Sequence, residues 1–420
     1  MLPCAAVPAD ARPRPLTFEL LYDAVAFGMW AYTRAAFRVV DLGLARLRLR
    51  PGILLVASHR AETDVPLLCP SLYRAGHFLR DREAPRINFA ARDDMFDRGF
   101  FAGFPPGLPL ATRRLLYPLE AGPVLPRVRV HPVPYPSASL LRLGRALAAL
   151  PPEAPLEPLL PRELLEQLGA RAREAGVRAP RTAVETLHGV FADLLWQYCT
   201  SEQLSAPAFE PAWRRRAEES AAAIRRLVEL VASGEILLLF PEGRPSPDGA
   251  VGPLRKGLGT IVRRGRPEAI VPIAIAYDPL TPYRPRAYVA FGSELVPPAG
   301  GVDEALLRAL RRATPLTCGQ VVARELVRAA STGVERVGAP ELDVALADEC
   351  AAAVAEGRPV DRALLGVPTR RERLSEALAW VVRSGLVTAP DRRSLVLAPE
   401  RVLADGTVLR IAREHESARD

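Results

Sequence analysis

The sequence predicts an α/β protein: a central, mostly parallel sheet flanked by helices, with a helical insertion and a mainly helical C-terminal domain. Three observations predict it. Residues 53–57, 236–240 and 269–277 are short apolar runs rich in branched side chains, the pattern of strands buried on both faces. Helical patterns separate them, and strands alternating with helices make a sheet covered by helices. Beyond about residue 298 the strand signal fades and helical patterns dominate.

At 420 residues, 49% hydrophobic and 25% charged, the chain is long enough for two or three domains, and its composition excludes a disordered protein. A net charge of +8 favours anionic partners: phosphate groups, an acidic membrane surface or nucleic acid. Lys256 is the only lysine, and the arginine-, alanine- and proline-rich composition fits a GC-rich genome. Cys4, Cys69, Cys199, Cys318 and Cys350 are scattered, with no zinc or redox spacing. That pattern predicts neither a disulfide framework nor a metal site, and points to a reducing, cytoplasmic compartment. The first ten residues lack a basic leader and a sustained apolar core, so no signal peptide is expected.

In chain order, 1–15 is a loose Pro-rich segment and 16–47 reads as a helix. Asp23, Arg34, Arg38 and Asp41 interrupt its apolar run, which suits a membrane surface or a packed core helix rather than a bilayer span. A helix is expected over 65–79, a strand over 87–91, an irregular aromatic loop over 98–107 and a half-exposed strand over 124–133. Residues 134–211 read as an insertion with helical patterns at 162–175 and 182–198. A long basic helix follows over 213–233, with Gly234 as its C-cap. One domain is placed at 16–297 and a separate domain at 301–420. Its basic helix 369–385 and an expected hairpin of 395–397 with 408–411 give a winged-helix-like layout, with a helical cap as the simpler role and no nucleic acid expected.

Two polar segments carry the chemistry. The strand 53–57 runs into Ser58-His59-Arg60-Ala61-Glu62-Thr63-Asp64. On one helix, residues five apart point roughly 140° away from each other. With His59 in a turn and Asp64 in the first turn of a helix, they can meet, giving an imidazole base with a carboxylate to fix its tautomer. His188 and Asp193 have the same separation but no preceding buried strand, so that pair reads as coincidence. The second segment, Phe240-Pro-Glu242-Gly243-Arg244-Pro-Ser246, continues to Arg255-Lys256-Gly257. A glycine that lets backbone approach a ligand, several cations and a helix start all suit a phosphate. A solvated ion pair on a surface turn is the alternative.

Together these segments resemble the glycerolipid acyltransferase family of the 1-acylglycerol-3-phosphate acyltransferase type, which carries His-x4-Asp after a buried strand and a Phe-Pro-Glu-Gly motif further on. Val271-Pro272-Ile273 resembles the strand that follows, and the segment from Ala91 to Phe96 the block between the motifs. The resemblance implies acyl transfer from acyl-CoA or acyl carrier protein to a hydroxyl of a phosphorylated glycerolipid acceptor at a membrane surface, without a cofactor. It implies His59 and Asp64 as catalytic residues, and Glu242, Gly243, Arg244, Arg255 and Lys256 as substrate-binding residues. Arg244-Pro245 stands where the family has Thr-Arg, and the family's middle arginine has no clean match; Arg127 and Arg129 lie nearest. These departures leave open a non-catalytic lipid or acyl-thioester binding protein on the same fold. Ser58 lacks the Gly-x-Ser-x-Gly elbow of a serine nucleophile.

Overall fold

Five strands organise the site-bearing part of the protein: β1 (Arg38–Leu42), β2 (Ile53–Ala57), β3 (Ile236–Leu239), β4 (Ala269–Asp278) and β5 (Arg286–Phe291). The computed structural model describes residues 16–76, 86–103, 108–134, 139–298, 300–391 and 394–419; the segment 1–15 and His77 lie outside them. The strands lie side by side in the order β1-β5-β4-β2-β3. Only the β4–β5 pairing is antiparallel. β2, β3 and β5 are buried at every residue, and β2 and β3 accordingly read as continuous apolar runs, whereas β1 is half-buried throughout.

The chain forms two compact units, Met1–Ile87 with Leu230–Asp420, and Asn88–Glu229. In the first, helix α1 (Leu16–Ala36) packs on α2 (Asp64–Gly76). Pro70 lies inside α2 and has no N–H to give to the Pro66 carbonyl one turn back. Thr33 of α1 fills the gap: its buried hydroxyl donates to Pro66 O at 2.8 Å. The two helices are therefore joined by a bond that a proline makes necessary.

Residues 301–420 belong to the same unit as the sheet. Helices α3 (Cys318–Ser331), α4 (Val367–Arg383) and α5 (Gly406–Ser417) surround an antiparallel sheet ordered Arg336–Gly338, Ser394–Leu397, Val387–Thr388. Their core includes Leu280, from the loop after β4. Asp278, at the end of β4, accepts from Gly319 N at the start of α3 (2.9 Å), and a Cβ on Gly319 would lie 2.2 Å from that carboxylate. Arg286 of β5 pairs with Glu376 of α4, and Tyr288 donates to Asp361 at 3.1 Å. One face of α4 is thus turned to the sheet, while Arg370 and Arg371 pair with Asp343.

In the second unit, Phe89–Arg92 pairs parallel with Val130–Val133. Asp93 is held by Arg145 and Arg216, Asp97 by Arg142 and Arg145, and Asp94 by Arg92 and Tyr198. The segment resembling the family's middle block is therefore a buried ionic knot.

Several expected elements differ. The helix expected over 16–47 ends at Ala36, because Val39 and Val40 suit the extended edge strand that pairs with β5. The helix expected over 182–198 breaks into Ala183–Thr186, Gly189–Phe191 and Ala192–Leu195. At Gly189 a Cβ would lie 2.8 Å from Arg114 Cα, so the chain turns there against another backbone. Part of 98–107 is the short helix Phe100–Gly103, while 104–107 lie outside the described residues. The strand expected over 124–133 is confined to Val130–Val133, after a turn containing Pro126 and left-handed Arg129. Residues 408–411 lie in α5, whose first turn is capped by the Asp405 carboxylate accepting from Thr407 N and Val408 N, both at 2.9 Å. β5 has no counterpart in the sequence reading.

Thr33→Val keeps the shape of the side chain but strands the buried Pro66 carbonyl. A loss of about 1–3 kcal/mol is expected in denaturant unfolding. An unchanged midpoint would show that the carbonyl finds another donor.

Candidate active site

Because β2, β3 and β4 run parallel, their carboxyl ends lie along one edge, where open α/β sheets place ligands. β2 delivers Ser58-His59, β3 delivers the segment from Phe240, and β4 delivers Tyr277. Ser58 joins the ends: its N–H donates to Ile273 O at 2.9 Å, and its fully buried hydroxyl accepts from Ile275 N at 3.0 Å. That hydroxyl is spent on the sheet, which disfavours a nucleophilic role. β4 continues past this point and carries Tyr277 up to the next loop.

His59 Nδ1 lies 2.8 Å from Asp64 Oδ2. The same oxygen accepts from Arg60 N (2.6 Å) and Ala61 N (3.0 Å), and Oδ1 accepts from the Tyr277 hydroxyl (2.7 Å). Thr63 Oγ1 lies 2.9 Å from that hydroxyl and donates to it, since the tyrosine proton is committed to Asp64. Asp64 is completely buried at the start of α2, and as a carboxylate it only accepts. The shared proton therefore sits on His59 Nδ1. In the neutral ring Nε2 is then the acceptor, and it has no hydrogen-bond partner among the described residues. The ring is 14% exposed and packs on Phe240 at a centroid distance of 4.7 Å. Burial, reinforced by the Asp64 charge, raises the Tyr277 pKa, so the phenol stays a donor.

The second segment clamps the first. Glu242 is buried; Oε1 accepts from His59 N at 2.8 Å and Oε2 from Gly252 N at 2.9 Å. Ser246 N donates to His59 O at 2.9 Å, so the histidine is held at both backbone polar groups. Burial raises the Glu242 pKa, while those backbone donors and Arg60 oppose the rise. Gly243 adopts φ 72°, a left-handed conformation that glycine enters without strain, and a Cβ there would lie 3.0 Å from Arg255 Nε. Arg255 donates to Glu242 O at 3.3 Å. Arg244, Arg255 and Lys256 are exposed cations, the last two just before helix Gly257–Gly265.

A family model described as Acyltransferase matches residues 192–276, which include the Phe240–Ser246 segment and most of β4. That stretch of the chain is similar to the acyltransferase family. A search of curated proteins finds no match. Among solved structures, the 1-acyl-sn-glycerophosphate (LPA) acyltransferase PlsC from Thermotoga maritima is similar over 70% of this chain and 78% of its own, at 12% identity and a TM-score of 0.28. A likeness that weak carries no weight.

Of the residues singled out in the sequence, His59, Asp64, Glu242, Gly243 and Arg255 are joined by direct bonds or contacts. Arg244 and Lys256 stand exposed on the same loop or its continuation, and Arg127 and Arg129 belong to the other compact unit. The decoy pair does not meet: His188 Nδ1 accepts from Val190 N at 3.3 Å, whereas Asp193 pairs with Arg113 and Arg171. Among the described residues no group of His, Cys, Asp and Glu has the arrangement of a metal site. Sequence reasoning missed Tyr277, Thr63 and Arg60. The available signal for Tyr277 was its place at the carboxyl end of a buried strand parallel to β2.

Tyr277→Phe removes the only donor to Asp64 Oδ1 among the described residues. It should cost about 1–3 kcal/mol in unfolding experiments. No change would mean that solvent reaches that oxygen.

Proposed function

We propose that this protein transfers a fatty acyl group from a thioester, acyl-CoA or acyl carrier protein, to a hydroxyl of a phosphorylated glycerolipid precursor such as lysophosphatidate or glycerol 3-phosphate. The observation that carries this reading is the His59–Asp64 pair, with Nδ1 2.8 Å from the Asp64 carboxylate and Nε2 facing no partner among the described residues. A hydroxyl is a poor nucleophile and a thioester is already a good acyl donor, so a positioned base is the chief requirement. His59 Nε2 takes the hydroxyl proton as the oxygen forms its bond to the acyl carbon. The carbon–sulfur bond then breaks, and the departing thiolate takes the proton from the imidazolium. The buried Asp64 carboxylate stabilises that imidazolium, and the substrate hydroxyl stands where hydrolases use a serine. No covalent acyl-enzyme is needed.

Arg244, Arg255 and Lys256 supply exposed positive charge for phosphate on the acceptor or on CoA. No described helix is long and apolar enough to cross a membrane. Contact with lipid falls instead to α1, which buries Tyr22, Ala26 and Thr33 and exposes Leu16, Leu20, Phe27, Trp30 and Tyr32. Arg34 lies over the Trp30 ring at 5.5 Å, a cation beside the exposed aromatic face, as an interfacial helix needs.

Transfer from labelled acyl-CoAs to lysophosphatidate, glycerol 3-phosphate and neutral acceptors tests this. His59→Ala should lose about 10²–10⁴-fold in rate while remaining folded, and His188→Ala should match the wild type. Full activity in His59→Ala would refute the assignment. A folded wild type that binds acyl-CoA without turnover would favour a binding protein on the same fold.

A further inference from the structure

We propose that Glu414, on the last helix of the C-terminal region, is a positioning residue of the active site that acts through Arg60. Arg60 immediately follows His59 and is 6% exposed. Its backbone N–H donates to Asp64 Oδ2 at 2.6 Å. Its guanidinium donates through Nη1 to Gly249 O, in the loop that follows the Phe-Pro-Glu-Gly segment, and through Nε to Ile275 O of β4 at 3.3 Å. One side chain therefore ties together the three segments that build the site, from the ends of β2, β3 and β4. A buried guanidinium needs a counter-charge. Glu414 supplies it, with Oε1 3.5 Å from Arg60 Nε.

Helix α5 holds that carboxylate in place and also touches the loop directly. Ser417 Oγ accepts from Val251 N at 3.3 Å. Gly249 lies so close to α5 that a Cβ would fall 2.3 Å from Arg410 O. Beyond Arg60, the groups acting on Glu414 are Arg410 on its own helix, Asp278 of β4 and Gln320 of α3. Burial pushes the Glu414 carboxyl up to about 7. An acid raised in this way binds a proton in the folded chain over a window where the unfolded chain does not. Stability from this group is complete below the ordinary glutamate pKa of about 4.3 and is lost as pH rises toward 7. Keeping Glu414 ionised thus costs stability, as expected of a group retained for its effect on a site.

The test compares the full-length wild type with Glu414→Gln, Glu414→Asp, Arg60→Met and the double variant Arg60→Met/Glu414→Gln. Hydrogen exchange is followed at the amides of His59, Arg60 and Gly252, with helix Arg162–Glu174 as the internal reference. Exchange at the three site amides should rise in Glu414→Gln and rise less in Glu414→Asp, while the reference helix stays unchanged. The aspartate variant decides the matter if the glutamine variant does not fold. In acyl transfer, kcat should fall by about 10²-fold with little change in KM. The double variant should be no worse than Arg60→Met alone, since Glu414 acts through that arginine. Site amides as protected as in the wild type, or losses that simply add, would overturn the proposal. The activity arm rests on the acyltransferase reading whereas the exchange arm does not. A wild type that transfers nothing would count against the former and leave the latter to judge Glu414.

Discussion

The Asp64 carboxylate is the constraint on which the site depends. Removing an ionised carboxylate from water is expensive unless nearly all of its lone pairs are matched by donors. Here the chain supplies four: two backbone N–H groups from its own turn, an imidazole and a phenol. The two amides come free with the sequence distance, because a short acidic side chain at a helix start naturally accepts from the turn before it. The imidazole follows from the same turn. The phenol does not, and it requires that β4 overrun β2 by several residues in a fixed register. Shifting that register by one residue would turn Tyr277 to the opposite face.

A second buried carboxylate, Glu242, plays a complementary part. Asp64 fixes the ring of His59 and Glu242 fixes its backbone. The two act from different loops, so the base is located by the sheet edge and not by either loop alone. This division explains why Gly243 is left-handed: the chain must reverse immediately after Glu242 to bring Gly252 and Ser246 back toward the histidine. Arg60 repeats the pattern one residue later, with its backbone serving Asp64 and its guanidinium serving the neighbouring segments.

The parts legible in the sequence were those whose signal is local. The apolar runs of β2, β3 and β4, His59 with Asp64, and the segment from Phe240 could be read because each is short and strongly patterned. Tyr277 could not, since its role depends on the strand register. Arg60 has the appearance of any surface arginine until the fold buries it. Glu414 lies more than 350 residues away on a helix whose first turn reads as a strand, because Val408 and Ile411 are branched and only the Asp405 cap marks the helix start. β5 escaped because Arg286 and Tyr288 interrupt an apolar run, and both are buried only because the C-terminal region supplies Glu376 and Asp361.

The most direct measurement is nitrogen-15 NMR of the His59 imidazole in the full-length protein at neutral pH, assigned by difference against a His59→Gln variant. The hydrogen bonding around Asp64 predicts that the neutral form of the ring carries its proton on Nδ1 and leaves Nε2 unprotonated. A proton found on Nε2 instead would contradict the account, because that nitrogen could not then accept one from a substrate hydroxyl.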